Sequence, residues 1–408
     1  MGAPLEVKGF TWERGPFSIC AACKQESFGF LRAGGHSLTM RCSKCRYFEN
    51  VALPPVDKKV IYLDQFIFSL LFNVTSQGRL PLGHETFAKA LHERLRRLVL
   101  LQQIVLPHSD IHRDETTVFH SASALREAYE FIGGDISFSD TSTIELNQVL
   151  DATEAFVRGT PLTIDLSVDE VLESNRNDWL SDMHISVRSD YSQLADGLRK
   201  MRDETHAEME KLAARWVSEK PSFDDVLKIE LDAVLQAKIG ALASTERKKS
   251  SADPDVLFNA VNSPIQREVR NLLHFMREEG VSANEAGQKV RDLWDSEVYR
   301  QLPHHRISAY LFAAIARRVV SGQKSVVNKG MINDVRAIAT YAPYVDAMFV
   351  DKTSAQLLQE RPLSDDLSFK ADVFSFSSRD EFLAYLDDLE AKTPSGVREM
   401  SSRIYGVA

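Results

Sequence analysis

All four cysteines of this 408-residue chain fall within its first 45 residues, as Cys20, Cys23, Cys42 and Cys45. They form two C-x2-C pairs with residues 24–41 between them. A C-x2-C turn puts two sulfurs on one side of a tight loop. Two such turns complete a tetrahedron around zinc with Zn–S distances of about 2.3 Å. Disulfides are the competing reading, and the lack of any other cysteine or of an export signal weighs against them. A segment of about 40 residues buries little core, so zinc here supplies folding energy. With cysteine at every ligand position, no coordination site stays open for catalysis. The expectation is a zinc ribbon over 1–55, closed by Pro54 and Pro55.

Charge is uneven around this segment. The whole chain carries −9, which argues against strong non-specific binding to phosphate backbones. Residues 1–59 hold nine Lys/Arg against five acids, so that stretch is +4 and the remainder −13. Arg41, Lys44 and Arg46 beside the second cysteine pair, with Phe28, Phe30 and Tyr47 nearby, suit phosphate contact and base stacking. Packing on the main domain, or dimerisation, is the equally weighted alternative.

Beyond the prolines, VIYL (60–63) reads as a buried strand followed at once by Asp64. Residues 84–103 read as an amphipathic helix with Phe87, Leu91, Leu95 and Leu98 on one face, and IVLP (104–107) as a second short strand. Residues 121–132 look helical, closed by Gly133 and Gly134. From about 140 to 321 the pattern is nearly all helical, with a stripe of Leu194, Leu198, Met201, Met209, Leu212 and Trp216. Val226, Ile229, Val234 and Leu235 suggest a further helix. Ser282 with Glu285 fits a capping box opening 283–300, and ERKKSSADPD (246–255) reads as an exposed loop. Strands return at VDAMFV (345–350) and DVFSF (372–376). A last amphipathic helix then runs from Ser378 and Glu381 through Leu389. Short apolar strands joined by helices imply an α/β fold with a parallel sheet covered on both faces.

Such sheets place their sites at the carboxyl ends of the strands. Asp64 should end the first strand and Asp351 a later one. Asp110 and Glu115 follow IVLP, and Asp334 lies on the helix before VDAMFV. Each acid alone also reads as a helix cap, a first-turn acid or a turn residue. Together they would crowd one sheet edge, which is unfavourable without a cation among them. Oxygen-only ligands suit Mg²⁺ or Mn²⁺, which can activate water and stabilise a leaving oxygen at a phosphodiester.

The segments IYLDQ (61–65), PHSDIHRDET (107–116) and NDVRAIATYAPYVDAMFVDK (333–352) resemble the PIN-like superfamily. The closer likeness is to a bacterial group with a YLDQ strand, a P-x-S-x-x-H-x-x-E-T segment and a PY-x-D-x5-K block. The resemblance implies a short parallel sheet between helices and a metal-dependent ribonuclease, in some members a toxin or antiphage effector. It places Asp64, Glu115, Asp334 and Asp351 as Mg²⁺ or Mn²⁺ ligands, adds Asp346 and Lys352 to the catalytic set, and makes Gln65 and His112 accompanying positions. Phe66 stands where the group's motif has Asn. The likeness spans about 60–120 and 325–390. Parts of the catalytic domain are accordingly expected at 56–135 and 325–408, with a helical insertion at 136–324.

Arg94, Arg96 and Arg97, Arg247 to Lys249, and Arg317 with Arg318 read as solvated helix faces, and His304 and His305 as loop or helix-start residues. There is no Ser-His-Asp arrangement, P-loop or GxGxxG pattern, so acyl transfer, NTP hydrolysis and dinucleotide chemistry lack support. Glu6 breaks a myristoylation pattern, and no apolar stretch approaches the ~18 residues of a membrane span. The cytoplasm is the expected address and RNA the expected partner. A regulatory partner stays open, as do a non-catalytic nucleic-acid-binding role for the ribbon and a DNA nuclease.

Overall fold

The structure is a computed structural model that describes residues 13–76, 78–119, 125, 133, 136–181 and 191–407. The helix expected at 121–132 lies outside the described residues. Two four-stranded sheets organise a mixed α/β chain rich in helix.

The first sheet is an antiparallel meander, β1 (Arg14–Ile19), β2 (Glu26–Gly34), β3 (Ser37–Cys42) and β4 (Phe48–Ala52), in that spatial order. The inner strands β2 and β3 alternate buried and accessible residues, and β1 and β4 are exposed. Phe30, Ala33, Leu38, Met40 and Leu53 pack against Trp179 and against Val397 and Ile404 of the helix Ser395–Tyr405. The Trp179 indole donates to Pro54 O at 2.8 Å, and its backbone N–H donates to Gly35 O at 2.7 Å. The small sheet therefore completes its core with side chains from the rest of the chain.

The second sheet is parallel. It contains β5 (Lys59–Leu63), β6 (Ile104–Val105), β7 (Ala347–Phe349) and β8 (Asp372–Phe374), in the order β6-β5-β7-β8. Strand side chains alternate between faces. Val60, Tyr62 and Met348 enter one apolar cluster, and Ile61, Leu63, Ala347 and Phe349 enter another. Burial on both faces is why VIYL and VDAMFV read as continuous apolar runs. The second face is covered by α1 (Gln65–Thr75), α2 (Glu85–Leu100) and the helix Arg379–Ala391. The first is covered by the helices Pro303–Val320 and Met331–Tyr341, with Ile307, Leu311, Ile315, Val335 and Ile338 buried.

Pro303–Val320 belongs by sequence to the helical block, yet it forms part of the sheet's own core. Farther out, Thr141–Arg158, Val234–Lys249, Pro264–Glu278 and Ala283–Trp294 share a separate cluster around Leu272, Met276, Leu293 and Trp294. Pro254, Pro264 and Pro303 each open a helix, where the missing N–H costs nothing.

Several expectations need correction. The helix expected over 283–300 stops at Trp294, with a separate short one at Glu297–Arg300, and Ser282 makes no capping bond to the backbone, its hydroxyl donating to Glu285 at 2.7 Å instead. ERKKSSADPD is a loop only over 250–253: the helix before it runs to Lys249 and the next begins at Pro254. The three basic residues at that helix end favour the dipole, and Glu246 pairs with Lys249 at 2.7 Å. Residues 159–181 are not helical beyond a short turn at Val168–Val171, because Gly159 ends the preceding helix in the left-handed conformation at φ 65°. The stripe on the helix Ala195–Glu219 is only partly interior: Met209 and Trp216 are buried, whereas Leu194 and Met201 are exposed. The amphipathic helix from Ser378 is not the last, since Ser395–Tyr405 follows it. Among the described residues, no helix is long and apolar enough to cross a membrane.

Candidate metal centres

The cysteine turns are matched. In each, the residue after the second cysteine has positive φ, Lys24 at 59° and Arg46 at 65°. Each donates its N–H back to the first cysteine's carbonyl, Lys24 to Cys20 at 3.0 Å and Arg46 to Cys42 at 3.1 Å. All four thiols are free. The Sγ atoms of Cys20 and Cys45 are 3.6 Å apart, as are those of Cys23 and Cys42. A tetrahedron with metal–sulfur bonds of about 2.3 Å has edges of about 3.8 Å. The cluster therefore has the dimensions to hold a metal ion such as zinc. Burial raises the Cys42 thiol pKa, but the amides of Cys45 and Lys44 and the Ser27 hydroxyl outweigh it and bring it down to about 6. Such N–H···S donors stabilise thiolate.

Of the side chains expected to touch nucleic acid here, Phe30 is buried and Phe28 packs beside Tyr47, with ring centres 5.8 Å apart. Arg41 is ion-paired with Glu13, which Arg46 also approaches at 3.6 Å.

The acids occupy the carboxyl edge of the parallel sheet. Asp64 follows β5 at the N-cap position of α1, yet its carboxylate closes no capping bond. Asp351 follows β7 and does cap its helix, Lys352–Gln359, accepting from Thr353 N at 2.7 Å and Ser354 N at 3.3 Å. Asp334 sits in the first turn of Met331–Tyr341. One carboxylate oxygen from each of these three lies within 4.8 Å of the others. Six oxygens at about 2.1 Å from one ion stand roughly 3–4 Å apart, so small side-chain rotations would let the three share a hard cation.

Glu115 lies outside that mutual distance but is electrostatically part of the site. It belongs to α3 (Asp110–Thr117), which opens on a reciprocal cap between Ser109 and His112. The His112 ring accepts from Ser109 N at 3.1 Å through Nδ1 and donates from Nε2 to Leu63 O at 2.8 Å. This tautomer ties α3 to the residue before Asp64. Burial lowers the imidazole pKa to about 3, so it stays neutral. Gln65 adds a second tie, donating to Thr116 Oγ1 at 3.1 Å. Asn333, beside Asp334, donates to Glu115 Oε1 at 2.8 Å and links the two acid-bearing helices.

Crowding shows in proton affinities. Burial first, then Glu115 and Asp351, raise Asp64 to about 7. Burial, then Asp64, Asp351 and Glu115, raise Asp334 to about 9. Burial also raises Glu115, against the Asn333 hydrogen bond and the Arg202 charge. Carboxylates that hold protons for want of positive charge are what a cation would relieve.

Asp346 is not brought to this group. It precedes β7, at the opposite sheet edge from Asp351, and accepts from Val60 N at 2.9 Å, Lys59 Nζ at 3.1 Å and Lys370 Nζ at 3.2 Å. An acid before a strand and an acid after it cannot share an edge, so Asp346 is a bracket for β5 and not a site residue. Asp110 is likewise occupied, by Thr141 and Tyr341 hydroxyls at 2.7 and 3.4 Å. Lys352 is exposed, one residue past Asp351. Sequence reasoning missed Asn333 and Arg202. Asn333 lies inside the NDV segment and so was within reach, whereas Arg202 belongs to a helix with no motif.

No family model, curated protein or solved structure matches the chain.

Proposed function

We propose that this protein is a divalent-metal-dependent nuclease of the PIN-like kind that hydrolyses RNA phosphodiester bonds, with structural zinc in its cysteine cluster. The observation that carries the reading is the meeting of Asp64, Asp334 and Asp351 at the carboxyl edge of the parallel sheet. Asp64 lies far in sequence from the other two, and only the fold joins it to them.

A bound Mg²⁺ or Mn²⁺ would supply an activated water and charge neutralisation at the phosphate. The chain's own residues do the rest. Asp64 presents its carboxylate at the head of α1, where the Phe66 and Gln65 amides partly stabilise it, and Asp334 presents one from the first turn of its helix. Asp351 spends part of its acceptor capacity on its own helix, which fixes its direction. Glu115, oriented by Asn333 and with raised proton affinity, is placed to hold or pass a proton at the edge of the ligand group. Lys352 supplies an exposed positive charge beside Asp351 for a substrate phosphate.

The test is cleavage of labelled single-stranded RNA, transfer RNA and single-stranded DNA by the full chain, in Mg²⁺, in Mn²⁺ and in EDTA. Metal-dependent RNA cleavage that disappears with Asp64→Asn supports the reading. Cleavage of DNA alone would make the protein a DNA nuclease. RNA binding that is equal in EDTA and never followed by cleavage would leave a binding protein.

A further inference from the structure

We infer that Arg202, delivered by the helical block, grips a phosphate of the nucleic acid next to the acid cluster; this rests on the nuclease reading above. The helix Ala195–Glu219 is pinned at both flanks of the cluster. Arg199 donates to Val118 O at 3.2 Å, just past the end of the helix that carries Glu115. One turn later, Asp203 is paired with Lys329 at 2.6 Å, two residues before the helix that carries Asp334. Residues 199 and 203 share a helix face, and 202 adjoins it. Arg202 therefore lies on the stretch of this helix tied to both acid-bearing segments, and its charge acts on Glu115.

Arg202 is partly buried. Among the described residues its Nε is left without a hydrogen-bond partner, while its charge acts on Glu115 and on Asp203. The Glu115 carboxylate takes its hydrogen bond from Asn333. Among the described residues, no ion pair within 4.0 Å involves Arg202, although its neighbours Arg199 and Lys329 are both paired. A guanidinium with its Nε buried and unsatisfied suits a planar, bidentate anionic acceptor. A phosphodiester brought to a cation on Asp64, Asp334 and Asp351 offers two non-bridging oxygens, and those carboxylates repel it unless positive charge stands opposite. Arg202 meets that need, and it gives the helical block a role in holding substrate.

Arg202→Gln and Arg202→Lys test this, with three readouts on the full chain. These are Mn²⁺ affinity by calorimetry, single-stranded RNA affinity in EDTA across a salt series, and kcat and KM in Mn²⁺. Arg202→Gln should weaken RNA binding about tenfold and flatten the salt dependence by about one phosphate contact. It should raise KM and leave Mn²⁺ binding at least as tight as in the wild type. Arg202→Lys should fall between, because it keeps the charge and loses the fork; it carries the test if the glutamine variant fails to fold. Unchanged RNA affinity with tighter Mn²⁺ binding in Arg202→Gln would make Arg202 a mere counter-ion to the acids and overturn the inference alone. A wild type that binds no Mn²⁺ overturns the nuclease reading, whereas an unchanged KM in Arg202→Gln overturns this inference alone.

Discussion

Replacing Asp64 with asparagine should make the metal-free protein more stable in mild alkali. Burial, then Glu115 and Asp351, lift this acid from its usual 3.8 to about 7. Between those values the folded chain keeps a proton that the unfolded chain releases, so stability falls as pH rises through the window. The displacement corresponds to a ceiling of about 4 kcal/mol near pH 8, and about 1.5 kcal/mol near pH 5. Asparagine preserves the shape and cannot ionise. In EDTA near pH 8 the variant should therefore melt above the wild type, at roughly 2 °C per kcal/mol in a chain of this size. Near pH 5 the gap should shrink by more than half. Manganese at a hundred times its Kd adds about 2.7 kcal/mol to the wild type, and the variant should lose most of that gain. Thermal melts at the two pH values, with EDTA and with Mn²⁺, read all four corners. A variant melting below the wild type in EDTA near pH 8, or a Mn²⁺ shift of equal size in both proteins, would refute the reasoning.

Cys42→Ser should lower bound zinc from near one equivalent per chain to near none by elemental analysis. Hydrogen exchange should rise in β2, β3 and Ser395–Tyr405 together, because they share one apolar cluster. Asp346→Asn should cost about 1 kcal/mol in chemical denaturation by removing the negative charge that the partly exposed Lys59 and Lys370 face, Lys370 keeping Tyr344 O as an acceptor, while Mn²⁺ affinity stays unchanged. Burial raises the Asp346 pKa, but the Val60 amide, Lys370 and Lys59 outweigh it and hold it below 3.8. Its contribution is therefore present above that value and vanishes as pH falls through the depressed one. His112→Ala should cost about 2–4 kcal/mol by leaving Leu63 O unsatisfied beside a cavity. It should also lower kcat more than Mn²⁺ affinity, since it loosens α3 and Glu115 and leaves the three aspartates in place.

β5 and β7 were legible because each is short and apolar on both faces, and the acids following them were legible because a chain leaving a parallel strand must emerge at its carboxyl edge. Asp64 and Asp351 needed no more than that. Asp334 was read from its place on the helix before VDAMFV, with the motif resemblance agreeing, and that helix delivers it to the same edge. Asp346 misled because a motif records spacing and not which end of a strand a residue occupies. The helix Ser395–Tyr405 escaped although Val397, Met400 and Ile404 sit at helical spacing. Its apolar face is three residues wide and finds its partner in a sheet more than three hundred positions earlier. Arg202 was invisible for a related reason: a lone arginine on a polar helix acquires meaning only when the helix is pinned beside Glu115.

Strand β5 pairs along one side with β7, Ile61 opposite Ala347. During synthesis at roughly 5–20 residues per second, the partner for that side emerges some 15–60 seconds later. For that interval the nascent chain carries an open β edge and one of its three clustered aspartates. Any translation product cut short before residue 334 is left with that aspartate alone. The acid centre thus cannot be assembled until residue 351 has been made, and ribosomes that stall earlier release a chain without it.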